Sequence, residues 1–105
     1  MMAAKKTLTK AQILAALRKH RDTLDRFSVR RIALFGSYAA GTQKQSSDID
    51  FVVEFENPSL ENFMGLIDFL EERFKRKVDV LTPEGVRSIR VKEVAESIRS
   101  QLVYA

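Results

Sequence analysis

The chain has 105 residues, which is enough for one small domain with a single hydrophobic core. It contains no cysteine, which excludes a disulfide framework and a cysteine-ligated metal site and is typical of a cytoplasmic protein. The net charge of +4 comes from basic residues scattered along the chain without interleaved aromatic residues, so direct nucleic-acid binding is not favoured. No apolar run reaches membrane-spanning length.

The first predicted element is a helix that begins at Thr9. Thr9 followed three residues later by Gln12 fits a capping box, in which each side chain satisfies a free backbone N–H of the first turn. Apolar residues then recur on one helical face and predict a helix that continues to the last of them: Ile13, Leu17, Leu24 and Phe27. His20 falls in the charged run on the opposite side, where we expect it to be exposed.

A β-branched and apolar run from Val29 to Phe35 predicts a strand that ends in the turn Gly36-Ser37. Gly36 has no Cβ and allows a ligand to approach the backbone, and Ser37 adds a hydroxyl that can cap the next turn. Backbone N–H groups at the start of a helix bind anions, so the short segment after Ser37 predicts a phosphate site. Lys44 lies in the polar loop that follows and can reach a phosphate, although an exposed lysine is the default interpretation.

The second predicted strand, Asp48 to Phe55, opens with two carboxylates. Asp48 and Asp50 are two residues apart, so both side chains leave the same face of a strand, whereas Ile49 and its alternate neighbours face the core. Like charges about 4 Å apart repel by roughly 4 kcal/mol at an effective dielectric near 20, and a divalent cation removes that cost. Oxygen ligands suit Mg²⁺ or Mn²⁺ rather than zinc. The alternative is that Asp48 caps the loop and Asp50 is merely exposed.

A long amphipathic helix is predicted after Ser59, which is a plausible N-cap. Its apolar stripe repeats at three and four residues and predicts core packing: Leu60, Phe63, Ile67, Leu70 and Phe74. Gly65 interrupts this helix at a cost of about 1 kcal/mol relative to alanine, without an evident functional reason.

The third predicted strand, residues 77–82, places Val78 and Val80 toward the core and Asp79 on the opposite face. If this strand lies beside the second, Asp79 joins Asp48 and Asp50; the alternative is an edge-strand aspartate that faces water. Thr82 is expected to cap a short helix. A last helix is predicted from about residue 88 to 99, with Val91, Val94, Ile98 and Leu102 inward, followed by an edge strand at residues 102–104.

These motifs together resemble those of a known superfamily. Gly36-Ser37, ten intervening residues and then Asp48-Ile49-Asp50-Phe51 are similar to the signature of the polymerase-β-type nucleotidyltransferases, and most of all to the minimal nucleotidyltransferase (MNT) domains. The resemblance implies an α+β fold, the polymerase-β-like nucleotidyltransferase palm, with a small mixed sheet and helices packed on one face. Residues 1–8 are expected to form a disordered tail, and residues 9–105 a single domain.

The resemblance also implies a reaction and a partner. Asp48, Asp50 and Asp79 would be the catalytic carboxylates and hold two Mg²⁺ ions, with Mn²⁺ as the alternative, while Gly36, Ser37 and Lys44 would bind the nucleotide. The reaction would transfer AMP from ATP to a hydroxyl, and the acceptor in this branch is a tyrosine of a HEPN-domain toxin. The protein would then be the cytoplasmic antitoxin of a toxin–antitoxin module. Homo-oligomerisation is left open.

One position departs from the family pattern. The family usually has an arginine before the second glycine, as in Gly-Ser-x-Ala-Arg-Gly, and this chain has Ala40 there. The loss of a positive charge beside the triphosphate leaves a second hypothesis open, in which a catalytically weak or inactive antitoxin neutralises its HEPN partner by binding alone. A nucleic-acid-binding protein, suggested only by charge, ranks last.

Overall fold

The computed structural model describes residues 8–87, 96 and 98–105. The elements follow one another as α1 (Lys10–Lys19), α2 (Arg21–Arg26), β1 (Val29–Phe35), α3 (Ser37–Ala40), β2 (Ile49–Phe55), α4 (Leu60–Phe74), β3 (Val78–Leu81), α5 (Pro83–Arg87) and β4 (Val103–Tyr104). Most of the predicted last helix lies outside the described residues, although residues 98–100 are helical. None of the described helices combines the length and apolar character needed to cross a bilayer.

In the described part of the chain the strands form one four-stranded sheet in the order β3-β2-β1-β4. β1 pairs antiparallel with both β2 and β4, whereas β2 and β3 are parallel and are connected through α4. A parallel pair requires such a crossover, which is usually a helix that packs back onto the sheet. The mixed sheet and its helices confirm the predicted fold class.

The main core lies between the sheet and the helices α1, α2 and α4. β2 contributes Ile49, Phe51 and Val53 to it, which confirms the predicted alternation along this strand. A smaller cluster lies on the opposite face, where Val52 packs with Val86 and with the C-terminal residues Ile98 and Leu102. That face of the sheet is therefore partly covered rather than fully open.

The predicted first helix is interrupted at His20. Its start is as predicted, because Thr9 and Gln12 form the complete capping box. The chain leaves the helical conformation at His20 (φ −102°, ψ 30°), which ends α1 and precedes α2. His20 is also less exposed than predicted: its Nε2 accepts a hydrogen bond from Arg73 Nε at 3.2 Å, and its ring meets the edge of Phe69. The break allows α2 to turn its apolar face onto the sheet.

The predicted stripe of α4 is wrong at its first position and omits Leu66, and its members Phe63 and Ile67 are only partly buried. Leu60 is 76% exposed, and the buried residues are Leu66, Leu70 and Phe74. The periodicity gave the correct face, but the first turn extends beyond the core that this face covers. Ser59 caps the helix as predicted, since its Oγ accepts a hydrogen bond from the backbone N–H of Asn62.

Gly65 has a packing role that the sequence did not reveal. A Cβ at this position would lie 2.6 Å from the ring of Phe27, which is too close for any side chain other than hydrogen. The glycine therefore lets the ring of Phe27 pack directly against the backbone of α4 and join α2 to α4.

Candidate active site

The Gly36-Ser37 turn connects β1 to α3 in a conformation that only glycine adopts readily. Gly36 has φ 76° and ψ −151°, and it is the N-cap residue of α3. The expectation that Ser37 caps the turn is wrong, because Ser37 is the first residue of the helix and Gly36 occupies the capping position. Gly36 has no side chain, so α3 begins without a side-chain cap. At the other end of α3, Gly41 also has a positive φ, of 78°.

The absence of a side chain at Gly36 is what allows the carboxylate of Asp50 to lie against this turn. A Cβ built on Gly36 would overlap Oδ2 of Asp50. Register explains the proximity, because Phe35 and Asp50 are opposite each other on the antiparallel strands β1 and β2. The turn and the acidic strand, which are separate in the sequence, therefore form one site.

Asp79 joins this site from the other side. β3 lies beside β2 in parallel register, with Asp79 opposite Asp50, so the two side chains leave the same face of the sheet. Their carboxyl groups are close enough to share a hydrogen bond. Burial, followed by the charges of Asp79 and Asp48, raises the pKa of Asp50 to about 6. Asp79 is also exposed and lies on an edge strand. It therefore combines the two interpretations: it lies beside Asp50, and it is an edge-strand aspartate that faces water.

The other two predicted site residues lie in the loop before β2. Asp48 precedes the first strand residue, Ile49, rather than belonging to the strand as predicted, but its charge acts on Asp50. Lys44 is exposed, and its backbone N–H donates to the hydroxyl of Ser47 at 2.9 Å, which closes the loop. The structure thus brings Asp50 into contact with Gly36 and places it beside Asp79, whereas Asp48 and Lys44 lie outside the strand, in the loop that precedes it.

Asp50 and Asp79 are called the acid pair below. Their carboxylate oxygens are ligands that suit a hard divalent cation. Within residues 8–87, 96 and 98–105, no three acidic, histidine or cysteine side chains are placed so as to hold a metal ion together. Mg²⁺, however, is usually bound through one or two carboxylates, with phosphate and water oxygens completing its octahedron. The acid pair, which lies beside Gly36, provides the one or two carboxylates that such a site takes from the protein.

Sequence reasoning missed one part of the same sheet face. Arg31, on β1, is opposite Glu54 and pairs with it at 3.0 Å, and its guanidinium lies 5.1 Å from the ring centre of Tyr104. The alternation from Phe35 through Ala33 to Arg31 could have placed Arg31 on the face of the acid pair. The contribution of Tyr104 required the sheet order.

A second contact that the sequence did not predict holds α3 in place. The ring of Tyr38 is completely buried, and its hydroxyl accepts a hydrogen bond of 3.0 Å from Nε of Arg76. This anchors the helix that follows Gly36-Ser37 to the segment that leads into β3, so both sides of the site are tied together.

The fold and the site define a class of protein. The model of the family described as "Nucleotidyltransferase domain" matches residues 17–104, and the chain belongs to this family. It is therefore a nucleotidyltransferase, and the family resemblance of the motifs is confirmed.

Individual relatives are similar over nearly the whole chain. "Putative protein adenylyltransferase MJ1379" of Methanocaldococcus jannaschii is 42% identical over 100 residues, which cover 91% of this chain and 97% of the relative. "Protein adenylyltransferase MntA" of Thermococcus cleftensis is 36% identical over 99 residues, covering 92% and 96%.

Solved structures share the fold. A structure described as a "putative minimal nucleotidyltransferase" superposes with a TM-score of 0.73 at 22% identity, covering 94% of this chain and 98% of that one. A structure described as a "toxin-antitoxin with AMP-PNP" superposes with a TM-score of 0.59 at 26% identity, covering 92% and 72%. The first of these likenesses establishes the fold alone.

Proposed function

We propose that this protein is a cytoplasmic antitoxin that transfers AMP from ATP to a tyrosine hydroxyl of a HEPN-domain toxin. The observation that carries the proposal is the acid pair, whose members lie opposite each other on parallel strands, with Asp50 in contact with Gly36. Relatives that are named protein adenylyltransferases, and a toxin–antitoxin structure with AMP-PNP, support the choice of ATP and of a protein acceptor.

The parts of the site have separate tasks in this reaction. The Gly36-Ser37 turn would hold the β- and γ-phosphates, because nothing projects from Gly36 to keep them away from the backbone. Lys44, on the exposed loop before β2, would supply positive charge to the phosphates. Asp50 and Asp79, with Asp48 beside them, would hold Mg²⁺ or Mn²⁺, which when bound neutralises charge on the phosphates and orients them.

The transfer itself is a substitution at the α-phosphorus. The acceptor oxygen forms a bond to the α-phosphorus, the bond from the α-phosphorus to the oxygen that bridges to the β-phosphate breaks, and pyrophosphate leaves. The hydroxyl proton passes to a carboxylate of the acid pair, where Asp79 is the more exposed member. Little covalent chemistry is required of the protein, so positioning and charge neutralisation provide most of the rate.

The test uses the purified protein with the HEPN-domain protein of the same genome and α-³²P-labelled ATP. Label should appear on the partner, and the partner's RNase activity should fall in parallel. Asp48→Asn and Asp50→Asn should each reduce labelling by about 100-fold or more, by removing charge at the site. Asp68→Asn, a matched change at an exposed position of α4, should leave it intact. Equal labelling by the parent and Asp50→Asn would refute the proposal.

A second candidate function rests on Ala40 and on the incomplete convergence of the three carboxylates. In this alternative the protein neutralises the toxin by covering it, without transfer. The same experiment separates the two, because Asp50→Asn would then suppress RNase activity as fully as the parent does while no label appears on the partner.

A further inference from the structure

The face of the sheet that bears the acid pair also carries a cavity, close to that pair. Its volume is about 360 Å³, near the lower end of the range for small-ligand sites. Apolar side chains form much of its lining, together with one tyrosine and three charged side chains. The lining residues are Val52, Pro83, Val86, Ile98 and Leu102, with Tyr104, Arg31, Arg99 and Glu54. This cavity is called the ring pocket below. Its composition suits a flat, largely apolar group rather than a phosphate.

Sheet register fixes where the ring pocket lies relative to the acid pair. Val52 follows Asp50 by two residues on β2, so it is on the same face and about 7 Å further along the strand. On the neighbouring strand β1, Ala33 is opposite Val52 and Phe35 is opposite Asp50. The chain leaves β1 past Phe35, so the Gly36-Ser37 turn lies on the other side of the acid pair. Turn, acid pair and ring pocket therefore follow one another along the strand direction.

This order indicates the direction from which the acceptor hydroxyl would attack the α-phosphorus. The attacking and leaving oxygens are roughly in line on opposite sides of the transferred phosphoryl group. If the leaving pyrophosphate is held at the Gly36-Ser37 turn and the α-phosphate is at the acid pair, the attacking hydroxyl comes from the side of the ring pocket.

We propose that the ring pocket binds the aromatic ring of the acceptor tyrosine and directs its hydroxyl toward the acid pair. This inference rests on the proposed function, and it assigns the acceptor subsite to residues of this chain. An aliphatic hydroxyl on a short side chain cannot fill the pocket, so the pocket makes the enzyme selective for phenols. Arg31 pairs with Glu54 and lies over the ring of Tyr104, so three of the lining side chains contact one another without the acceptor.

The experiment compares N-acetyl-tyrosinamide with N-acetyl-serinamide as acceptors, using α-³²P-labelled Mg-ATP. Burial of the ring should favour the phenol in kcat/KM by about tenfold or more. Ile98→Trp, which fills the pocket, and Ile98→Ala, which enlarges it, should each raise the KM for N-acetyl-tyrosinamide by about fivefold or more and reduce the preference over serinamide. Leu60→Trp, at a position that is 76% exposed on α4, is the control and should behave like the parent.

Calorimetric titration of Mg-ATP separates the failure of this inference from that of the proposed function. The parent and both Ile98 variants should bind Mg-ATP with the same Kd. Weaker Mg-ATP binding by a folded Ile98 variant would mean that the pocket holds the nucleotide base, which overturns the assignment to the acceptor. Binding of Mg-ATP without a preference for the phenol also overturns it. Absence of Mg-ATP binding by the parent, alone and in complex with the toxin, would instead contradict the proposed function.

Discussion

Asp50 and Asp79 lie opposite each other on two parallel strands, with their carboxyl groups close enough to share a hydrogen bond. Two acids that face each other without a cation cost folding free energy, because each disfavours the ionised form of the other. The protein tolerates this cost beside Gly36, which has no side chain. Such a local conflict is typical of a functional site.

The first prediction concerns the pH dependence of stability without divalent ions. The pKa of Asp50 is raised to about 6, so the folded state binds this proton more tightly than the unfolded state does. Stability should therefore fall as pH rises from about 4 to about 6, and the cost is fully present above that range. Asp50→Asn should raise the free energy of unfolding at neutral pH by on the order of 1 kcal/mol, a value reduced for partial exposure. Below about pH 4 the gain should vanish.

Urea denaturation with a chelator present, at several pH values, measures this effect. Asp68→Asn, on the exposed side of α4, controls for a general change in charge. Addition of Mg²⁺ should stabilise the parent more than Asp50→Asn, since a cation that binds only the folded state shifts the equilibrium toward it. A gain that is the same at all pH values would contradict the raised pKa.

The second prediction concerns the glycine in contact with Asp50. Gly36→Ala should weaken Mg-ATP binding by about tenfold or more, because the new Cβ would displace the Asp50 carboxylate and the backbone conformation is nearly restricted to glycine. Gly41→Ala is the control, since Gly41 also has positive φ but has open space around it. It should cost about 1–2 kcal/mol of stability without a change in the Kd for Mg-ATP. Equal Kd values in the two variants would show that the contact with Asp50 is unimportant.

The third prediction concerns the contact between α2 and α4. Gly65→Ala gains helix propensity of about 1 kcal/mol but forces its methyl group into the ring of Phe27, an overpacking that costs about 1–3 kcal/mol. We expect a net loss of about 1 kcal/mol in thermal or urea unfolding. In a double-mutant cycle with Phe27→Leu, the loss caused by Gly65→Ala should shrink or reverse. An unchanged loss would mean that the ring does not cause it.

The fourth prediction restores the positive charge that the family pattern has before the second glycine. Ala40 is exposed at the end of α3, so an arginine can be placed there without disturbing the core. Ala40→Arg should lower the Kd for Mg-ATP about two- to fivefold, with a larger effect at low salt. Gln45→Arg, which adds the same charge to the exposed loop, should have a smaller effect. Equal effects of the two variants would indicate a nonspecific attraction.

Much of the acidic site could be predicted because it depends on local rules. Strand alternation predicts that Asp50 and Asp79 each leave the face of their own strand opposite to the core residues, and a glycine at the end of a strand indicates a turn. Alternation does not predict that the two strands are neighbours, because no local rule states which strands pair. The register with Asp79 opposite Asp50 supplies that adjacency.

The features that could not be predicted depend on tertiary contacts. The ring pocket requires β4 to return beside β1, so that Tyr104 meets Arg31 across the sheet. The break at His20 has no proline or glycine to mark it, and the packing against Phe69 and Arg73 becomes apparent only in the assembled fold. Likewise, periodicity gives the direction of the stripe on α4 but does not show that Leu60 extends past the core.

The parallel pairing of β2 with β3 also has a consequence for the order of folding. The β1–β2 hairpin contacts form over a short stretch of chain, whereas β3 can reach β2 only after the α4 crossover has closed a much longer loop. We therefore expect the acid pair to be assembled after the β1–β2 contacts. On the proposed function, a chain that has not yet completed the crossover through α4 would lack the carboxylate pair for Mg²⁺, so it would gain the ability to bind Mg-ATP only when β3 packs beside β2.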